Sequence, residues 1–259
     1  MKIIKLNDSP TPLKDHLREL RKRITWSVIV IILSTTIAFI FHQQILQALM
    51  KPAQQFSEIP NQKPVYTELT EYIGVAMKVS LLSGFSISLP FLLYQLTMFL
   101  APGLSSKEKK YLYILLPISI LAFLTGAFFG YRILFPPAIN FLLNFGNNIA
   151  TPYIRIGNYT SLMLSLLFWM GLVFETPIVL FLLAKLGIVT SSFLAKQRRF
   201  AVVIAFILGA MITPTFDPIN QTLVAIPIII LYEIGIWTSK LAKRNVQNSE
   251  KVSSSKNNI

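Results

Sequence analysis

No cysteine occurs in this 259-residue chain, so disulfides, thiol catalysis and cysteine-held metals are excluded. Histidine is nearly as scarce. His16 and His42 fall near opposite ends of the first apolar run, a poor basis for a metal site. Charge is short too: Asp, Glu, Lys and Arg make up 14% of the residues, against about 25% in a soluble domain that must cover its surface with them. Most of that charge is of one sign, with 24 Lys and Arg to 11 Asp and Glu, net +13. No small-residue cleavage site follows the first apolar run, and the segment before it is polar, so the run is expected to stay as an anchor. The apolar runs hold no nucleophile–base pair and no ligand cluster, so no enzyme, cofactor or metal is expected.

What the chain does have is apolar surface. Apolar residues make up 53% of it and the mean hydropathy is +0.59, so most of its exterior is expected to face lipid. Six apolar runs are apparent, over residues 24–41, 74–99, 111–133, 159–183, 200–212 and 223–237. The expected fold is therefore all-α, a polytopic membrane protein with six transmembrane helices, the last two short. Pro90, Pro117, Pro177 and Pro227 lie inside the runs; packed membrane helices tolerate this because neighbours satisfy the freed carbonyls.

Lys and Arg divide unevenly between the segments that join the runs. Nineteen fall in the N-terminal segment, the second and fourth loops and the tail, against four in the alternate loops. By the positive-inside rule, both termini lie on the cytoplasmic or stromal side. Topology and anionic lipid account for the basic charge, so no nucleic acid is required. Residues 1–240 are read as a single six-helix membrane domain. It includes an amphipathic helix over 11–23, where Thr11-Pro12 offers a cap and Leu13, Leu17, Leu20 and Ile24 form one stripe. Residues 241–259, rich in Ser, Asn and Lys, are read as a disordered polar tail. Segments 42–73 and 134–158 are apolar enough to fold as caps on the outer surface. No internal repeat is visible, which counts against a secondary transporter.

A few ionisable residues stand out within this frame. Glu19 lies on the polar face of the first helix, where an i,i+4 pair with Arg23 would contribute a few tenths of a kcal/mol. Glu108 completes Ser105-Ser106-Lys107-Glu108, a capping box opening the third span. Glu175 falls near mid-bilayer, where a carboxyl costs several kcal/mol unless paired, neutralised or hydrated, so it is expected to face the protein interior in a functional role. Lys78 is close enough to an outer end to snorkel. Asp217 and Gln221 sit between the two short spans, where helix capping is the plain alternative to function. Those short spans are expected to thin the bilayer or recess locally.

Several stretches resemble one family. His16-Leu17-Arg18-Glu19-Leu20-Arg21-Lys22-Arg23 is similar to the HLxELRxR motif that opens TatC proteins, the multi-spanning receptors of the twin-arginine protein translocase. Tyr94-Gln95, Phe99-Leu100-Ala101-Pro102-Gly103-Leu104 and Lys107-Glu108-Lys109-Lys110 resemble that family's second span and following loop. Phe174-Glu175-Thr176-Pro177 resembles its FExP motif, and Thr213-Pro214, Asp217-Pro218, Gln221-Thr222-Leu223 and Glu233-Ile234-Gly235 its last two spans. The loop carries Lys-Glu-Lys-Lys where many members have arginines. The resemblance implies a subunit that recognises twin-arginine signal peptides and, with single-span partner subunits, moves folded proteins using the protonmotive force. It implies signal-peptide contacts at Glu19, Arg21, Glu108 and Phe99. For Glu175, Asp217, Gln221 and Pro52 it implies intramembrane, partner or translocation roles. Self-association and contact with membrane lipid are also expected. A Lys-, Asn- and Ile-rich composition, and the likeness of residues 51–54 and 213–221 to cyanobacterial and plastid members, point to the thylakoid membrane, with a bacterial plasma membrane as the alternative. Two other functions stay open: a proton-coupled small-solute transporter relaying through Glu175, and a membrane assembly scaffold.

Overall fold

A computed structural model describes residues 13–55, 64–100, 106–145, 153–185, 187–213 and 217–256. The side chains of 13–16, 54–55, 97, 100, 106–113 and 242–256 lie outside that description. Ten α-helices follow one another among the described residues: α1 Leu13–Ile40, α2 His42–Met50, α3 Glu71–Leu100, α4 Ser106–Phe129, α5 Phe135–Asn144, α6 Ile156–Phe174, α7 Thr176–Lys185, α8 Ser191–Lys196, α9 Arg198–Ile212 and α10 Pro218–Lys256. An apolar chain with no water to satisfy its backbone has little alternative to helix. The described residues contain no strand, only an isolated parallel bridge between Val65 and Arg155.

Five helical stretches are long and apolar enough to cross a membrane: Leu17–Ile40, Glu71–Leu96, Ile114–Asn144, Ile156–Lys185 and Pro218–Leu241. The first four hold the first four expected spans. The fifth expected span is α9, whose 15 residues reach only ~22 Å at helical rise. One expectation needs correction. The last span is not short: its run of mostly apolar residues covers 24 positions, because Pro218 to Thr222 and Thr238 to Leu241 extend the helix past the apolar run at both ends. The α10 backbone stays helical to Lys256, through the segment read from sequence as a disordered tail.

α1 leaves Trp26, Ile29, Ile32, Leu33 and Ile37 exposed and buries little beyond Ser34 and Ala38, so one face rests on α3 and the rest is left for lipid. Leu17 and Ile24, two members of the expected apolar stripe, are also more than half exposed. α4 lies against α6 closely enough that a Cβ on Gly126 would collide with the carbonyl oxygen of Met170; only glycine fits there. α10 packs against α7 and α9.

The described parts of segments 42–73 and 134–158 pack into the core. Leu46, Leu49 and Ala53, from α2 and the 3-10 turn Lys51–Gln55, share one buried cluster with Leu134, Phe135, Ala138, Ile139 and Leu143 and with Tyr159 and Met163 of α6. Tyr131 donates to the carbonyl of Ala48 at 2.9 Å and Tyr159 to that of Leu49 at 3.3 Å. Between α4 and α5 the chain widens into a π turn, Gly130–Leu134. There the Phe135 N–H donates to the Gly130 carbonyl five residues back; Pro136 and Pro137 follow, with no N–H for the carbonyls of Arg132 and Ile133.

Candidate functional site

The fourth span is not one helix. α6 ends at Phe174 and α7 starts at Thr176, with Glu175 between them. Pro177 has no N–H for the Val173 carbonyl. The backbone tightens accordingly: the Glu175 N–H donates to the Leu172 carbonyl at 3.1 Å. Glu175 is 7% exposed. Its Oε2 accepts from the hydroxyl of Ser119 on α4, while its Oε1 is buried with no hydrogen-bond partner among the described residues. An unsatisfied buried carboxyl oxygen is costly, and its persistence marks the site out.

At the other end of α1, Glu19 is already occupied. Arg23, one turn on, donates from Nε to Glu19 Oε1 at 3.1 Å and from a terminal nitrogen to the same oxygen. Its remaining nitrogen donates to Gln95 Oε1 on α3 at 3.1 Å. The expected i,i+4 pair is thus present, with Gln95 as a third member. Arg21 is exposed and its carbonyl accepts from the Thr25 hydroxyl at 2.9 Å. Phe99 is half-buried near the end of α3. Ser106 begins α4, as the capping-box reading expects; Ser105 and the side chain of Glu108 lie outside the described residues.

Asp217 and Gln221 fasten the turn between α9 and α10. Asp217 accepts from the Asn220 N–H at 2.7 Å and from its side-chain amide at 3.1 Å, an N-cap for α10. Gln221 donates to the Phe206 carbonyl at 2.7 Å, and a Cβ on Gly209 would stand 2.8 Å from the Gln221 carbonyl oxygen. Pro52 is buried in the 3-10 turn. Glu19 thus sits where α1 meets α3, Asp217 and Gln221 at the turn between α9 and α10, Pro52 in the turn after α2, and Glu175 between α6 and α7 beside α4.

The sequence reading missed two ion-pair sites. Arg155 donates to Glu68 at 2.8 Å and to Glu71 at 3.2 Å. Glu71 also accepts from the backbone N–H groups of Thr67 at 2.9 Å and Gly157 at 3.0 Å. The hydrogen bond from Arg155 to Glu71, then that to Glu68, pushes the Arg155 pKa above its ordinary value. This clasp borders a cavity of about 840 Å³ whose lining includes the polar residues Arg155, Asn158, Ser161 and Ser165 and the apolar Ile139, Leu142 and Met211. Lys78 reaches Ser161 Oγ at 3.3 Å. The second missed pair is bidentate: Arg198 at the start of α9 meets Glu233 of α10 at 2.6 and 3.0 Å. No group of His, Asp and Glu that could hold a metal occurs among the described residues.

Comparison with known proteins decides the family. The Sec-independent protein translocase protein (TatC) family matches residues 15–227. The chain belongs to it. A Sec-independent protein translocase protein TatC of Aquifex aeolicus is 41% identical over 93% of this chain and 99% of its own. One from Carboxydothermus hydrogenoformans is 38% identical over 92% and 96%. A tatC-like protein, ycf43, of Gracilaria tenuistipitata var. liui is 37% identical over 89% and 94%. The fold agrees as well. A crystal structure of a twin-arginine translocase receptor, TatC, superposes with a TM-score of 0.79 at 41% identity, covering 88% of this chain and 99% of that one. The chain is a multi-pass membrane protein of the TatC family, and the stretches quoted from sequence lie almost wholly inside the matched region.

Proposed function

We propose that this protein is the receptor subunit of a twin-arginine translocase, binding twin-arginine signal peptides of folded precursors and carrying them across with single-span partners at the expense of the protonmotive force. The likeness to a twin-arginine translocase receptor over 99% of that chain carries this reading. Glu19 and Glu108 are the carboxylates that hold the two arginines, since guanidinium pairs bidentately with carboxylate, and Arg21 and Phe99 flank them. Glu175, Asp217, Gln221 and Pro52 serve partner contact or translocation. The transporter alternative needs several convergent ionisable groups at mid-membrane; among the described residues Glu175 is the acidic group buried there. The test is precursor binding. Glu19→Gln and Glu108→Gln each remove a charge-assisted contact and are expected to weaken binding about ten- to hundredfold without unfolding the protein. Wild-type binding by both variants would end the site assignment.

The finer topology is part of the same reading: six spans, both termini on the cytoplasmic or stromal face, α9 counted as the fifth span and recessed or met by a thinned bilayer. The membrane is the thylakoid, supported by the ycf43 relatives, with the bacterial plasma membrane as its alternative given the bacterial ones. In this cysteine-free chain, cysteines placed singly at Ser106 and Ser192 should react with an impermeant maleimide from one side, and at Asn148 and Thr215 from the other. Reaction at Thr215 from the side of Ser106 would remove the six-span arrangement.

A further inference from the structure

The Glu19 carboxylate is not bare in this fold. One guanidinium already sits on it. Arg23 uses two of its nitrogens on Glu19 and a third on Gln95 of α3, and only 19% of its side chain is exposed. Both donors fall on Oε1, and an incoming arginine that pairs bidentately with the carboxylate needs that oxygen too. The Glu19 side chain remains 35% exposed, so the group is reachable, but one of its two oxygens is engaged.

We propose that Arg23 is a built-in competitor for signal arginines at Glu19, and that Gln95 keeps its hold on Arg23 when a signal displaces it. This rests on the reading of Glu19 as a signal-peptide contact. Docking is then an exchange of one guanidinium for another at the same carboxylate. The charge pairing is conserved, so Glu19 is not left bare in the empty receptor, and stray cations meet an occupied site. The exchange also has a structural side. In the empty state Arg23 bridges Glu19 on its own helix to Gln95 on α3; with a signal bound, it holds Gln95 alone. The cost of displacement is the same for any ligand that takes Glu19, so Arg23 sets how tightly a signal must bind and leaves the ranking of signals unchanged.

The test is a titration of the whole protein in lipid nanodiscs with a fluorescent twin-arginine signal peptide and with its twin-lysine counterpart. Arg23→Gln removes the competitor and is expected to tighten both peptides by the same factor, about two- to tenfold. Arg23→Lys, whose single amine cannot span Glu19 and Gln95 together, covers the case in which Arg23→Gln does not fold; it should shift binding in the same direction by less. Unchanged or weaker binding by Arg23→Gln, with Glu19→Gln still damaging, would overturn the competitor and leave Arg23 as a support for Glu19. Unchanged binding by Glu19→Gln would instead bring down the reading on which the proposal stands, taking the exchange with it.

Discussion

Two carboxylates of this protein are largely covered and opposite in their treatment. Glu71, 8% exposed at its side chain, takes two backbone N–H groups and the guanidinium of Arg155, so both its oxygens are engaged. Glu175, 7% exposed, has one serine hydroxyl, and its second oxygen is bare among the described residues. Exposure alone therefore does not tell the two apart; the count of satisfied lone pairs does. A carboxylate that the fold has fully answered is part of the framework. One that the fold leaves half-answered persists at a cost in stability, and such costs concentrate where something other than stability is being served.

That contrast can be broken from either side. Glu71→Leu is expected to have the larger effect: it strips Arg155 of a partner, abandons two N–H groups and unties the start of α6 from the segment before α3, so the thermal unfolding midpoint in detergent should drop markedly. A midpoint matching the parent would show that the clasp is ornamental. Glu175→Leu should behave in the reverse way. It removes an oxygen with nothing to bond, and Ser119 can turn its hydroxyl to its own helix backbone, so stability is expected within about 1 kcal/mol of the parent or slightly above it, while precursor transport is lost. Transport at the parent rate would strip Glu175 of its role; a drop in midpoint as deep as that of Glu71→Leu would make the two acids alike after all.

How much of this was legible follows from how far apart the partners lie in the chain. The Glu19–Arg23 pair was readable because it is one helical turn long, and so was the start of α4 at Ser106. The apolar runs placed α3 to within a few residues and made α9 the short element it is. Gln95 as a partner of Arg23 was not readable, being 72 positions away; nor was Arg155 with Glu68 and Glu71, 84 to 87 positions apart, or Arg198 with Glu233. Such residues look in sequence like ordinary charges at the ends of spans. Only the packing of α3 beside α1 and α6, and of α9 beside α10, brings them together. The extent of α10 was misjudged for a simpler reason: an apolar run marks where lipid is, and a helix has no need to stop there.

The interruption at Glu175 has a mechanical consequence. An unbroken rod from Ile156 to Lys185 would turn its two ends as one. Interrupted at Glu175, it becomes two levers sharing a joint: the α6 lever is keyed into α3 and α4, and the α7 lever into α10, where Thr238 and Ser239 grip the carbonyls of Pro177 and Leu180. Torque applied to α10 by anything that grasps it therefore reaches α7 directly. It meets the backbone of the α6 lever at the one residue whose carboxyl also touches α4, so twisting the joint strains the contact with Ser119.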